Sequence, residues 1–132
     1  MFAQGIAEMG QMVRLLGGRP ETPAGLAGVG DMFVTATGGR NIRVGRLLGA
    51  GLRFGEAQAR LGDITLEGAA AIQVIGGALP KLTARGIIGS EDFPLLRQLH
   101  AVVGREQPPA IPWGSFFGGE AGAVAAAREL AG

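Results

Sequence analysis

Apolar positions along this 132-residue chain recur every three or four residues, and glycine or proline breaks the pattern at roughly helix-length intervals. Phe2, Ile6, Met9, Val13 and Leu16 form the first stripe, with Glu8, Gln11 and Arg14 mostly between them, and Gly17-Gly18 stops it. The stripe opens in mid-pattern with no cap ahead of it, so the expectation is a first helix over 1–18 that is truncated, with chain missing upstream. Arg19-Pro20-Glu21-Thr22-Pro23 reads as a turn into a short helix, with Thr22 as N-cap and Pro23 in the first helical position. Gly28 and Gly30 are expected to end that helix and let Asp31 start the next, which runs to about Ala36. Arg40 to Leu48 makes another helix with Val44, Leu47 and Leu48 inward, closed by Gly49-Ala50-Gly51, and Phe54 to Leu61 makes a short one ending at Gly62.

Asp63-Ile64-Thr65-Leu66-Glu67 is an extended link, with Thr65 placed to cap the helix after it. In that helix Ala70, Ala71, Val74, Ile75, Ala78, Leu79 and Leu82 give a long apolar stripe, and Pro80 inside it predicts a kink or local break. Ser90-Glu91-Asp92 caps a helix from Phe93 to Val103, with Pro94 in its first turn and Leu95, Leu96, Leu99, Val102 and Val103 buried. Gln107-Pro108-Pro109-Ala110-Ile111-Pro112 is a stiff extended segment leading to the aromatic cluster Trp113, Phe116 and Phe117. An Ala-rich tail, Glu120 to Leu130, suits a marginal helix. No strand-like alternation persists beyond a few residues. The expected fold is all-α, about six to eight helices in one domain over 1–132, with 105–132 as extended segment and tail.

Composition narrows the function classes. Hydrophobic residues are 47% and charged residues 17%, enough apolar content for collapse and a core. A net charge of +1 gives no reason to expect nucleic acid or an anionic membrane as the main partner. Without cysteine, and with His100 as the one histidine, no metal site is expected. Charged residues interrupt every apolar run before it reaches membrane-spanning length, and the first residues lack a basic signal-peptide region, so a cytoplasmic protein is expected. Lys81 is the one lysine, so chemistry that needs a lysine acid has a single candidate here.

Candidate chemistry concentrates between Gly25 and Asn41. Gly25-Leu26-Ala27-Gly28-Val29-Gly30 lets the backbone turn tightly, and Asp31 comes next as a lone carboxylate. Thr35 and Thr37, then Gly38-Gly39, precede Arg40-Asn41 where a helix begins. A guanidinium fork, a neutral amide and the amides of a helix start all favour a phosphate-like anion. A plain structural reading also fits: Asp31 as a cap, and Arg40, Arg43 and Arg46 as one solvated face. Glu67 can likewise be a first-turn acid favoured by the helix dipole.

The run GLAGVGD, then T-x-T-G-G-R-N, then R-x-G-R-L-L-G-x-G, resembles the NAD(P)-dependent glycerol-3-phosphate dehydrogenases, in their C-terminal helical substrate domain. The likeness begins at Gly5-Ile6-Ala7-Glu8-Met9 and reaches Leu66-Glu67-Gly68, covering about half the chain well. It implies a multi-helix C-terminal domain of the 6-phosphogluconate-dehydrogenase-like type, without a Rossmann domain. It implies hydride transfer between NAD(P)H and dihydroxyacetone phosphate, giving sn-glycerol 3-phosphate for glycerophospholipid supply. By the same resemblance Asp31 lies by the substrate and supports an acid lysine that is not in this chain. Gly39, Arg40 and Asn41 correspond to substrate-phosphate positions, and Arg40, Thr65 and Glu67 to positions near the cofactor.

Three departures stand out. Gly39 occupies a position that is usually serine, Thr65 one that is usually aliphatic, and the loop before Gly39 is shorter than in many members. No strand followed by a G-x-G-x-x-G turn occurs, so the NAD or NADP site is incomplete and an N-terminal Rossmann domain is the expected partner. The face that would meet it, including Phe2, Ile6, Gly25–Asp31 and Glu67, predicts homo-oligomer formation through the first and the long helix. Two readings stay open: the C-terminal part of such an enzyme, inactive alone, or a non-catalytic helical module binding a phosphorylated ligand or a partner chain.

Overall fold

Glycines and prolines cut the chain into helices, and the computed structural model describes residues 1–62 and 66–116, where every regular element is helical. The seven α-helices among the described residues are α1 Phe2–Leu15, α2 Asp31–Ala36, α3 Arg40–Gly49, α4 Phe54–Leu61, α5 Glu67–Ala84, α6 Pro94–Arg105 and α7 Trp113–Phe116. Thr65, Phe117 and the tail expected at Glu120–Leu130 lie outside the described residues. Glycines with positive φ close helices at Gly17, Gly51, Gly62 and Gly86, a conformation that costs side-chain-bearing residues more.

Between α1 and α2 the chain differs from expectation. Thr22 opens a short 3₁₀ turn, Thr22–Ala24, whose N-cap residue is Glu21, so Thr22 caps nothing. Gly28 does not end a helix; it lies buried inside a π-helical turn, Leu26–Gly30, that runs directly into α2. Asp31 is already helical, at φ −63° and ψ −45°, and makes no capping bond. No cap is needed because the wide turn continues unbroken, with the Gly30 amide donating to the Gly25 carbonyl at 3.3 Å. The turn lies hard against Pro23: a Cβ on Gly28 would stand 2.1 Å from the Pro23 carbonyl oxygen.

α6 is the element that the others pack around, and its start is built from a distance. Ser90-Glu91-Asp92 does not cap it; Asp92 Oδ2 accepts from the Gly89 amide at 2.7 Å within the preceding turn. Phe93 takes the N-cap position at φ 60°, ψ 49°, a left-handed conformation that is strained for a bulky residue. Its ring is 2% exposed and packs with Leu79 and Ile88, which offsets the strain. The first amides of α6 donate instead to Glu8 of α1: Leu95 N to Oε1 at 2.8 Å and Leu96 N to Oε2 at 2.9 Å. Gln4 Nε2 donates to Glu8 Oε1 at 2.8 Å, so a carboxylate only 6% exposed is fully engaged.

Two apolar clusters result. Val44, Phe54, Ala57 and Val103 join α3, α4 and α6, while Leu79, Ile88 and Phe93 join α5 to the start of α6, with Met12 of α1 against them. α5 runs through Pro80 without a break; Ala78, Leu79 and Leu82 face inward as expected, but the first half of the expected stripe does not. Gly76 and Leu79 are buried, whereas Ala70, Ala71 and Ile75 are exposed and Val74 is 75% exposed. Close approach decides this: a Cβ on Gly76 would stand 2.6 Å from His100 Cβ, so α6 meets α5 where the side chain is missing. The unburied apolar side chains also include Phe2, Leu26, Phe33 and Val34, whereas Ile6 is half-buried.

Replacing Glu8 with alanine strands one buried and one half-buried amide, so Glu8→Ala is expected to lower unfolding free energy by about 2–4 kcal/mol. Glu8→Gln, which keeps one acceptor oxygen, should cost less. Urea denaturation followed by far-UV circular dichroism checks both, and a sheet-dominated spectrum of the parent would overturn the fold itself.

Candidate anion site where α3 and α5 begin

Helix α3 starts at Arg40 because Gly39 holds an extended conformation, φ −68° and ψ 166°, as its N-cap. The turn from α2 is tight: Gly39 N donates to the Thr35 carbonyl at 2.9 Å, and a Cβ on Gly39 would stand 3.0 Å from both Thr35 Cγ2 and that oxygen. Among the described residues no side-chain cap bond is made at α3.

Helix α5 brings its own first residues to the same place. Arg40 Nη2 and Glu67 Oε2 are 3.3 Å apart across 27 residues of sequence. With 54% and 74% of the two side chains exposed, such a pair contributes at most about 1 kcal/mol, and its consequence is orientation. Beside it the Asn41 amide lies over Gly68, whose added Cβ would come within 3.1 Å of Asn41 Nδ2. Gly39, Arg40, Asn41 and Glu67 are thus brought together. The Asp31 side chain, exposed on α2, has no hydrogen bond or ion pair among the described residues, and Thr65 lies outside them. Arg43 and Arg46 are exposed on the outer face of α3.

The other two helices packed on this layer start differently. α6 is capped by Glu8, and at α4 the Glu106 carboxylate accepts the Gly55 amide at 3.1 and 3.0 Å while Glu56 accepts the Arg53 amide at 2.8 Å. Carboxylates accept the first amides at those ends; α3 instead presents an amide and an arginine that is paired with the Glu67 carboxylate. Sequence reasoning missed Gly68, although a glycine in the first turn of a helix costs about 1 kcal/mol against alanine and so signals a close neighbour. Among the described residues no three His, Asp or Glu side chains gather as metal ligands would, and no helix is long and apolar enough to cross a membrane.

Residues 1–112 match the NAD-dependent glycerol-3-phosphate dehydrogenase C-terminus. The chain belongs to that family. Similar proteins include glycerol-3-phosphate dehydrogenase (NAD(P)+) of Azotobacter vinelandii, 39% identical over 105 residues, covering 78% of this chain and 28% of the relative. Its counterpart in Acidobacterium capsulatum is 36% identical over 111 residues, 83% of this chain and 31% of the relative. That of Polynucleobacter necessarius is 43% identical over 84 residues, 62% and 24% respectively. The chain spans less than a third of the length of these curated relatives. No solved structure matches it significantly. The all-helical fold and the absence of strands among the described residues agree with a glycerol-3-phosphate dehydrogenase C-terminal domain.

Because the Arg40–Glu67 pair is exposed, loss of that pair in Arg40→Ala should by itself change stability by less than about 1 kcal/mol. Thermal melting checks this, and it makes Arg40→Ala a folded probe for ligand binding.

Proposed function

We propose that this chain is the substrate-binding helical part, 1–132, of an NAD(P)-dependent glycerol-3-phosphate dehydrogenase acting in the cytoplasm. The observation that carries this reading is the meeting of two helix starts, Arg40-Asn41 of α3 and Glu67-Gly68 of α5, on an uncapped end of α3. In the family reaction a bound nicotinamide supplies hydride to the carbonyl carbon of dihydroxyacetone phosphate. The carbonyl oxygen takes a proton, and sn-glycerol 3-phosphate forms. Arg40 and Asn41 hold the substrate phosphate with the first amides of α3, and Asp31 supports the acid lysine. That lysine is supplied from outside these residues, since Lys81, the sole lysine, is exposed in the last turn of α5.

Glu67 and Arg40, an acceptor and a donor side by side, fit the ribose edge of NAD or NADP, with Thr65 assigned there by resemblance alone. Among the described residues no strand and glycine turn cradles a pyrophosphate, so the partner that completes the site is an N-terminal Rossmann domain. Exposed Phe2, Leu26 and Val74 make self-association of the isolated chain an accompanying expectation, read by light scattering across a concentration series.

Calorimetric titration tests the reading. sn-Glycerol 3-phosphate should bind and glycerol should not, and Arg40→Ala should weaken binding about 10–100-fold, the worth of charge-assisted hydrogen bonds. The purified chain alone should show no turnover, and a Rossmann domain added in trans should restore it. Equal binding by Arg40→Ala, or turnover by the chain alone, would overturn the proposal. Phosphate-dependent binding that never gains activity would favour the non-catalytic module.

A further inference from the structure

Directly inside the Arg40–Asn41 corner, α3 and α5 leave a pocket of about 290 Å³ that the reaction above does not use. Asn41 stands at its edge as the polar contributor, and Val44, Leu48, Phe54, Ile72 and Val103 supply much of its apolar wall. Gly68 faces Asn41 from α5, and Gly45 lies one turn after Asn41 on α3, both lining the pocket. Gly45 is an exposed residue of that wall with room beside it. Its φ is not in the left-handed region, and an added Cβ would meet no atom within 4 Å. The open space at residue 45 makes it the wall position where a larger side chain can be placed without a clash.

The volume equals about ten water-sized spaces, and its lining offers water almost no hydrogen-bonding partner. An aliphatic chain fits that chemistry. A chain entering beside Asn41 would place a phosphate at its end against Asn41 and Arg40. We infer that this pocket binds the aliphatic part of a phosphate monoester whose head occupies the anion site, so that an alkyl phosphate excludes glycerol 3-phosphate. The inference rests on the anion-site assignment above, and its test separates the two.

Methyl phosphate and octyl phosphate, the latter below its micellar concentration, are titrated into the full chain by calorimetry. Each buried methylene tightens binding about fourfold, so with half its chain buried octyl phosphate should bind about a hundredfold tighter than methyl phosphate and displace sn-glycerol 3-phosphate. Gly45→Phe, whose side chain enters open space, should weaken octyl phosphate at least about tenfold while leaving methyl phosphate and the melting temperature nearly unchanged. Arg40→Ala should weaken both ligands. Equal affinity for the two phosphates would overturn the pocket while leaving the anion site standing, and so would an octyl preference that survives Gly45→Phe. If neither phosphate binds, the anion site and the pocket proposal fall together.

Discussion

The Glu8 carboxylate fixes the frame on which the other contacts depend. It lies on α1, is almost wholly buried, and satisfies the Leu95 and Leu96 amides at the start of α6, more than eighty residues away. A buried charge is costly unless its lone pairs are taken, and here two amides and the Gln4 side chain take them. The bond holds α1 against the α6 start, and α6 in turn carries Val103 into the cluster with Val44 and Phe54. Phe93 shows how firmly that start is set, since its left-handed backbone persists only with the ring locked among Leu79 and Ile88.

Glycine supplies the second constraint. Twenty-five glycines lower helix propensity throughout, yet several lie where another group comes too near for a side chain. Gly28 admits the Pro23 carbonyl, Gly76 admits His100, and Gly68 admits the Asn41 amide. The first lets a π-helical turn pass straight into α2, the second chooses which face of α5 meets α6, and the third seats α5 beside α3 at the candidate site. Gly45 belongs to a different class, with space instead of a neighbour.

The helix starts divide by what they face. α4 and α6 receive carboxylates from Glu106 and Glu8, and their donors are consumed inside the fold. α3 receives no side-chain cap and carries arginine and asparagine in its first turn. That division, in a member of the glycerol-3-phosphate dehydrogenase C-terminal family, is what supports the proposal of an anion site at α3, where Arg40 is shared with Glu67. Gly39 lies in a tight turn on Thr35, where a Cβ has little room.

The helical class, most helix boundaries, the family and the converging residues Gly39, Arg40, Asn41 and Glu67 were all legible in the amino-acid order. They depend on local signals: three-and-four spacing, glycine and proline stops, and a motif in fixed order. The capping of α6 by Glu8 belongs to the folded chain, since Asp92 offered an equally good local cap and proximity in space favoured α1. Folding likewise turned α5, whose sequence is apolar on several faces, so that backbone approach at Gly76 outweighed hydrophobic pattern. Asp31 was legible as a helix-start acid but not as a residue without a capping bond, because a π-helical turn leaves no periodicity of its own to read. Local periodicity records what a residue prefers, whereas which preference is met depends on groups that are distant in sequence and adjacent only after folding.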